Sequence, residues 1–125
     1  MFMTTDLLDS PKTTQSRFLV YVKNFLKSIE VKNIAYFYFE NKVTHVVTTS
    51  NEKYLLHRTL NQLEEKLDSQ QFFRVNRMCI ISYESISKIE PYLGNRLVVF
   101  LKGDPEYKTL VSREKVAEFK QWLNH

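Results

Sequence analysis

Two arginines and one asparagine interrupt an otherwise apolar segment, and they are the residues of this chain best suited to recognition chemistry. The segment, residues 72–83, reads Phe-Phe-Arg-Val-Asn-Arg-Met-Cys-Ile-Ile-Ser-Tyr. Burying an unpaired charge is costly, so Arg74, Asn76 and Arg77 are expected where the chain leaves the core. An arginine can donate two parallel hydrogen bonds to guanine O6 and N7, and an asparagine can bridge adenine N6 and N7. A structural interpretation stays open, in which Arg77 pairs with a neighbouring glutamate and Asn76 completes a turn.

Arg113 is the second candidate, in the first turn of a predicted terminal helix. The free N–H groups of a helix N-terminus favour an anion, so an external phosphate or base edge would satisfy both these groups and the arginine. The alternative is an ion pair with Glu114 or Glu118. Lys115, in the same turn, is a further candidate for a phosphate contact.

The third candidate is the pair Asn41–Lys42, at the tip of a predicted hairpin. An ordinary polar turn is the alternative interpretation of this pair. Arg74 and Arg96 are candidates for contacts with backbone phosphates, or else solvated strand residues. Phosphate contacts would position the domain without reading a sequence.

Other classes of function lack the residues that they need. His45, His57 and His125 are far apart, and the single cysteine, Cys79, has no partner at zinc-ligand spacing, so neither a metal nor a cofactor is expected. No glycine-rich phosphate loop and no catalytic constellation is present, so the chain is not expected to be an enzyme. No run of eighteen apolar residues exists, which argues against a membrane span. The single cysteine excludes an internal disulfide and fits a reducing, cytoplasmic location.

Length and composition indicate one folded domain with a modest positive charge. The chain has 125 residues, of which 43% are hydrophobic and 14% aromatic, and its net charge is +4. Residues 71–125 hold nine Lys and Arg against six Asp and Glu, whereas residues 1–70 hold nine against eight. The excess therefore lies mainly in the half that contains the arginine-bearing segment, which permits attraction to phosphates.

The patterning predicts a mostly β protein that would position these side chains on turns. Residues 1–16 are polar and are predicted to be a linker or a disordered segment, and residues 17–125 to be the domain. Short runs of β-branched and aromatic residues predict antiparallel strands. These strands are predicted at residues 18–23, 25–31, 34–40, 43–49, 53–56, 72–75, 78–81, 86–92, 96–102 and 107–111.

One or two short helices complete the prediction, including one at the C-terminus. Thr59 and Gln62 fit a capping box at the start of the first helix. Ser112 is predicted to cap the terminal helix, whose apolar stripe includes Val116 and Phe119.

The order and spacing of these segments resemble the LytTR family, DNA-binding domains found at the C-terminal end of many bacterial response regulators. Residues 72–82 are similar to the family signature F-x-R-x-(N/H)-R-S-x-(I/L)-V-N, with Met78 in place of its serine. Residues 54–67 are similar to the strand and helix that normally end in T-L-x-x-L-E-x-x-L. Residues 111–113, Val-Ser-Arg, match the closing V-S-R. The resemblance covers about residues 17–124.

The resemblance implies a fold and a way of binding. The fold would be an elongated set of small antiparallel β-sheets with one or two short helices, and loops at one edge would enter successive major grooves of double-stranded DNA. Base contacts are then expected from Asn76, Arg77, Arg113, Asn41 and Lys42. Phosphate contacts are expected from Arg74, Lys115 and Arg96.

The resemblance also implies a sequence-specific transcriptional regulator, or the output domain of a two-component response regulator. The expected partner is double-stranded DNA with repeated half-sites, bound by a homodimer. A receiver domain N-terminal to this chain is a further expectation. The alternative function is a non-catalytic protein-interaction or dimerisation module that keeps the same β-fold without reading DNA. It predicts that Lys42, Arg74, Arg77 and Arg113 point to different faces.

Overall fold

The computed structural model describes residues 14–103 and 105–124, which form ten strands and two helices. The strands are β1 (Arg17–Val22), β2 (Phe25–Glu30), β3 (Ile34–Glu40), β4 (Val43–Thr48), β5 (Lys53–Leu56), β6 (Phe72–Asn76), β7 (Cys79–Ser82), β8 (Ile86–Tyr92), β9 (Arg96–Leu101) and β10 (Tyr107–Leu110). The helices are α1 (Leu60–Lys66) and α2 (Val116–Leu123). Single 3₁₀ turns cover Val31–Asn33, Tyr83–Ser85 and Arg113–Lys115, and a turn at Leu93–Asn95 with a non-helical Gly94 joins β8 to β9.

The strands form two antiparallel sheets. Seven strands pair in the order β2-β1-β5-β4-β3-β7-β6, and three pair in the order β10-β9-β8. Strand β3 lies in the interior of the larger sheet, between β4 and β7, and its first four residues are buried. The predicted fold class, a mostly β protein of antiparallel sheets with a C-terminal helix, is confirmed.

The larger sheet has a hydrophobic core on each face, because its interior strand β3 carries apolar side chains on both faces. Phe18, Phe37 and Ile80 pack with Leu63 and Leu67 at helix α1 on one face. The other face packs against the smaller sheet and α2 through a second cluster that includes Tyr36, Ile81, Val99, Leu101, Phe119 and Trp122. Burying one such side chain contributes about 1.5–3 kcal/mol. The two layers thereby hold the strand ends, and the turns between them, in fixed relative positions.

The two helices begin in different ways. At α1 the predicted capping box is confirmed: Gln62 N donates to Thr59 Oγ1 over 3.0 Å, and Thr59 N donates to Gln62 Oε1 over 2.9 Å. The predicted side-chain cap from Ser112 is wrong, since its hydroxyl makes no capping hydrogen bond. The chain enters α2 through the 3₁₀ turn instead, where Lys115 N donates to the backbone oxygen of Ser112 over 2.8 Å. That short-range bond satisfies the amide that a side-chain cap would otherwise have served.

The described chain begins close to the predicted domain boundary. Of the predicted linker, residues 1–13 lie outside the described residues. Gln15 N donates to Lys66 O, and Ser16 O accepts from Val31 N, both over 2.9 Å, so these two residues are attached to the domain. The boundary at residue 17 stays a prediction. Within residues 14–103 and 105–124, neither helix has the length and apolar character needed to cross a membrane.

Candidate nucleic-acid interface

Two turns that carry candidate residues lie side by side at one end of the larger sheet. Asn41–Lys42 joins β3 to β4, and both residues adopt left-handed backbone conformations, with φ of 54° and 66°. This is the backbone of a tight two-residue hairpin turn, as predicted. Arg77 and Met78 join β6 to β7. Strand β3 pairs with β7, and Phe39 N donates to Met78 O over 2.9 Å, which places the two turns at neighbouring strand ends.

The end of β10 lies against the end of β6, next to the Arg77–Met78 turn. Asn76 Nδ2 donates to Thr109 Oγ1 over 2.9 Å and to Leu110 O over 2.6 Å. Just beyond β10, Ser112 N donates to Val75 O over 2.9 Å. These bonds join the smaller sheet to the end of β6, so the segment that leads into Arg113 lies beside the Arg77–Met78 turn.

Arg113 brings a third turn into the group. Its Nε donates to the backbone oxygen of Gly94, in the turn between β8 and β9, over 3.3 Å. Gly94 has a left-handed φ of 71°, and a Cβ added there would lie 2.8 Å from Arg113 Nη2. The left-handed backbone conformation therefore favours glycine at this position. We call the four segments Asn41–Lys42, Arg77–Met78, Leu93–Asn95 and Ser112–Arg113 the rim.

The part of the rim formed by Arg77, Met78 and Ser112 borders a groove of about 810 Å³ beside the smaller sheet. Arg77 and Met78 line one side, while Tyr92, Phe100 and Lys108 line the sheet side. Lys108 is not among the residues that the sequence patterns predict as part of the site. The signal was present, because strand alternation places Lys108 on the face opposite the inward-facing Tyr107 and Thr109.

Cations on the rim are not paired with carboxylates. In the part of the chain that the structure describes, the ion pairs are Lys32–Glu30, Arg74–Glu64 and Lys88–Glu90. The alternative interpretations of Arg77 and Arg113 as members of internal ion pairs are therefore not what the structure shows. Lys42, Arg77 and Arg113 are exposed, and their charges face solvent.

Arg74 and Asn76 lie just inside the rim, and their side chains are occupied. The Arg74 guanidinium bonds Asn61 and Glu64 of α1, and also the backbone oxygens of Asn76 and Arg77. The Asn76 amide bonds β10, as described above, and its Oδ1 accepts from Met78 N over 2.8 Å. Their expected DNA contacts remain predictions, but DNA would have to compete with these internal partners.

Arg96 and Lys115 each lie over an aromatic ring. The Arg96 guanidinium is 5.6 Å from the Tyr92 ring centre, at the base of the Leu93–Asn95 turn. The Lys115 ammonium is 5.7 Å from the Phe73 ring centre and lines a separate cavity of about 470 Å³. The structure thus brings Arg96 next to the rim and places Lys115 away from it. Their expected phosphate contacts stay predictions.

Two ionisable groups buried in the core, the Cys79 thiol and the Tyr36 hydroxyl, are neutral at pH 7. Burial raises the pKa of the Cys79 thiol, at the start of β7, to about 12, so it is not a thiolate at neutral pH. Burial likewise raises the pKa of Tyr36 to about 12. Among the described residues, His, Cys, Asp and Glu form no group of three that could hold a metal ion. The chemistry that the rim offers is hydrogen bonding and positive charge.

Comparison with known proteins assigns a family to this arrangement. The family model described as the LytTr DNA-binding domain matches residues 25–124. A solved LytTr DNA-binding domain from Bacillus cereus superposes with a TM-score of 0.78, covering 89% of this chain and 99% of that one. Its sequence identity of 18% makes it a likeness of fold alone.

Two regulators show similarity at the level of sequence. The transcriptional regulatory protein YpdB of Escherichia coli K12 is 32% identical over 94 residues, which is 75% of this chain and 38% of that protein. The sensory transduction protein LytT of Enterococcus faecalis is 30% identical over 99 residues, which is 79% of this chain and 36% of that protein. The chain therefore spans little more than a third of the length of these relatives.

Proposed function

The chain belongs to the LytTr DNA-binding domain family, and from this premise we propose that its rim reads a specific sequence in double-stranded DNA. The observation that carries the proposal is that three exposed cations, Lys42, Arg77 and Arg113, lie on separate turns that strand pairing and backbone hydrogen bonds connect at one end of the larger sheet. The alternative of a module that does not read DNA expects such cations on different faces. Their shared rim supports DNA binding.

A major groove is about 12 Å wide and admits a two-stranded β-ribbon, so a hairpin end such as the Asn41–Lys42 turn has the right form to enter one. Arg77 has the most favourable position, because its side chain projects from a tight turn and has no partner among the described residues. We assign it a bidentate contact with guanine, which supplies about 1–3 kcal/mol of discrimination. Lys42 and Arg113 would approach from the flanking turns. Each has the chemistry for a base edge or a phosphate.

The biological role that we propose is transcriptional regulation. The named relatives are a transcriptional regulatory protein and a sensory transduction protein, and each is more than twice as long as the matched segment. An output domain of a response regulator fits those names, together with a receiver domain outside this chain, repeated half-sites and a cytoplasmic location. The proposed activity is binding without catalysis.

The first experiment is a selection of the protein on random duplex DNA at a fixed salt concentration. We expect enrichment of one motif, followed by preferential binding of that motif over a scrambled duplex in a mobility shift. Arg77→Ala should reduce this preference by about tenfold and leave the fold intact, since it removes one bidentate contact from an exposed side chain.

The matched control is Lys53→Ala. Lys53 is an exposed cation on β5 that pairs with Val47, at the far end of β4 from the Asn41–Lys42 turn. The Lys53→Ala substitution removes one charge, as Arg77→Ala does, but away from the rim. This variant should keep the preference for the selected motif. A selection that enriches nothing would overturn the proposed function. An Arg77→Ala protein that discriminates as well as Lys53→Ala would remove Arg77 from the reading role.

A further inference from the structure

Arg74 is anchored to helix α1 and to the backbone where β6 ends. Its Nη1 donates to Asn61 Oδ1 and, over 3.1 Å, to Glu64 Oε1, both on helix α1. Its Nη2 donates to the backbone oxygen of Arg77 over 2.8 Å, and its Nε to that of Asn76 over 3.3 Å. The side chain is only 16% exposed. Four of the five guanidinium N–H groups therefore have internal acceptors, and little of the group is left to meet a phosphate.

Asn76 is occupied in a complementary way. Both of its amide N–H groups donate to β10, at Thr109 Oγ1 and Leu110 O. Its amide oxygen accepts from Met78 N, two residues along the chain. Bridging an adenine requires one donor and one acceptor from the same amide. Reading a base would therefore break a bond to β10 and compete with the bond that closes the turn.

The backbone of residues 76–78 is held at four of its hydrogen-bonding groups. Arg74 binds the oxygens of Asn76 and Arg77, Asn76 binds the N–H of Met78, and Phe39 N donates to the oxygen of Met78. The Arg77 side chain, in contrast, is exposed and has no partner among the described residues. A fixed backbone thus presents a free guanidinium. Such preorganisation lowers the entropy lost when a partner binds.

We propose that Arg74 and Asn76 are positioning residues that clamp the turn at Arg77, rather than residues that contact DNA themselves. Arg74 ties the turn to helix α1, and Asn76 ties it to the smaller sheet. This inference rests on the proposed function, because the turn needs a fixed shape only if Arg77 reads a base. The inference also gives the two arginines of the segment different roles: Arg74 fixes the turn, and Arg77 contacts a base.

Arg74→Lys separates the clamp from a phosphate contact. Lysine keeps the charge, so a phosphate contact would survive with most of its affinity and salt dependence. Lysine lacks the planar fork that reaches two backbone oxygens and α1 together. The clamp therefore predicts that Arg74→Lys loses about tenfold in preference for the selected motif, close to the loss in Arg77→Ala. A lysine variant with wild-type preference overturns the role of Arg74.

Asn76→Ala separates the clamp from a base contact. If Asn76 read an adenine, a repeated selection would show relaxed specificity at one base pair of the motif. The clamp predicts weaker discrimination at the base pair read by Arg77 as well, because the turn that aims this side chain is loosened. If specificity relaxes only at a base pair other than the one read by Arg77, the positioning role of Asn76 is overturned.

A measurement without DNA keeps this test separate from the proposed function. The Met78 amide should exchange slowly with solvent deuterium in the wild type and at least about tenfold faster in Asn76→Ala, since Oδ1 is its acceptor. The amides of Phe37 and Ile81, in the sheet core, should keep their protection and show that the variant is folded. Unchanged exchange at Met78 overturns the clamp, whereas failure of the wild type to discriminate between duplexes overturns only the proposed function.

Discussion

At the scale of single residues, Lys42 adopts a backbone conformation that the hairpin turn requires but that is unfavourable for lysine. Its φ is 66°, and lysine is uncommon in the left-handed region that a two-residue hairpin turn demands. Asn-Gly is the usual pair for such a turn, because glycine enters this region without a steric cost. A side chain that costs stability at an exposed turn is understandable if its charge is used in binding.

Lys42→Gly should therefore stabilise the fold and weaken DNA binding. We expect the free energy of unfolding to rise by about 1 kcal/mol, the approximate steric cost of a left-handed residue with a Cβ. The affinity for duplex DNA should fall, and the slope of its logarithm against the logarithm of salt concentration should flatten by about 0.9 if one phosphate contact is lost. Urea denaturation and binding titrations at several salt concentrations measure the two effects. An unchanged salt slope would show that Lys42 meets no phosphate.

The chemistry of the side chains at the rim could be predicted from their types. Whether each side chain is free to bind DNA or is already bonded within the protein could not. Arginine and asparagine in an apolar segment indicate recognition, and Arg77 is indeed exposed. Arg74 and Asn76 looked equivalent to it in the sequence. Their partners Asn61, 13 residues away, and Thr109, 33 residues away, meet them only after the sheets are packed. Alternation along one strand does not contain that information.

At the scale of elements, the aromatic residues of three strands form a stack between the sheets. Tyr107 of β10 lies over Tyr36 and Tyr38 of β3, with ring centres 5.0 and 5.5 Å apart, and Tyr38 stacks on His45 of β4 at 4.7 Å. Burial raises the pKa values of all three tyrosines and of Cys79. The contact between the sheets is therefore built from groups that must stay protonated.

Stability should accordingly fall in alkaline solution. In the unfolded chain cysteine and tyrosine titrate near their ordinary pKa values of 9.0 and 10.0, while in the fold Cys79 and Tyr36 hold their protons to about pH 12. Between these limits the unfolded state binds fewer protons, so the free energy of unfolding decreases as pH rises. Denaturation curves from pH 7 to about pH 11 measure the decline. Tyr107→Phe should make it shallower because it removes one titrating group, and an identical decline would contradict this explanation.

Most elements could be predicted from local pattern, because alternation and turn residues are local signals. The ten strands and the capping box at Thr59 are present, and Pro91 lies on an edge strand as its missing N–H requires. The 3₁₀ entry into α2 was missed, since a serine before a helix looks the same whether or not its hydroxyl caps. The order of the strands depends on which faces are covered by α1, α2 and the smaller sheet. That order is decided by long-range packing and not by any single segment.

At the scale of the whole molecule, one rim on a small domain limits how much DNA a single copy can recognise. A single DNA-binding module buries about 600–1,000 Å² of protein surface, at the low end for specific complexes. The net charge of +4 adds attraction that does not depend on sequence. High specificity is therefore expected to come from two copies on repeated half-sites. Copies that bind the same face of the duplex need half-sites about one helical turn apart, roughly 10–10.5 base pairs.

We expect the selected motif to contain two similar half-sites, and sedimentation of the complex to show two copies of the chain on one duplex. Scrambling either half-site should leave one bound copy and weaken overall binding. Moving the half-sites apart by about five base pairs places the copies on opposite faces, so any contact between them is lost and the second copy should bind more weakly. If a single copy saturates a duplex that carries both half-sites, one rim spans the whole target. That result would contradict the expectation that two copies bind repeated half-sites.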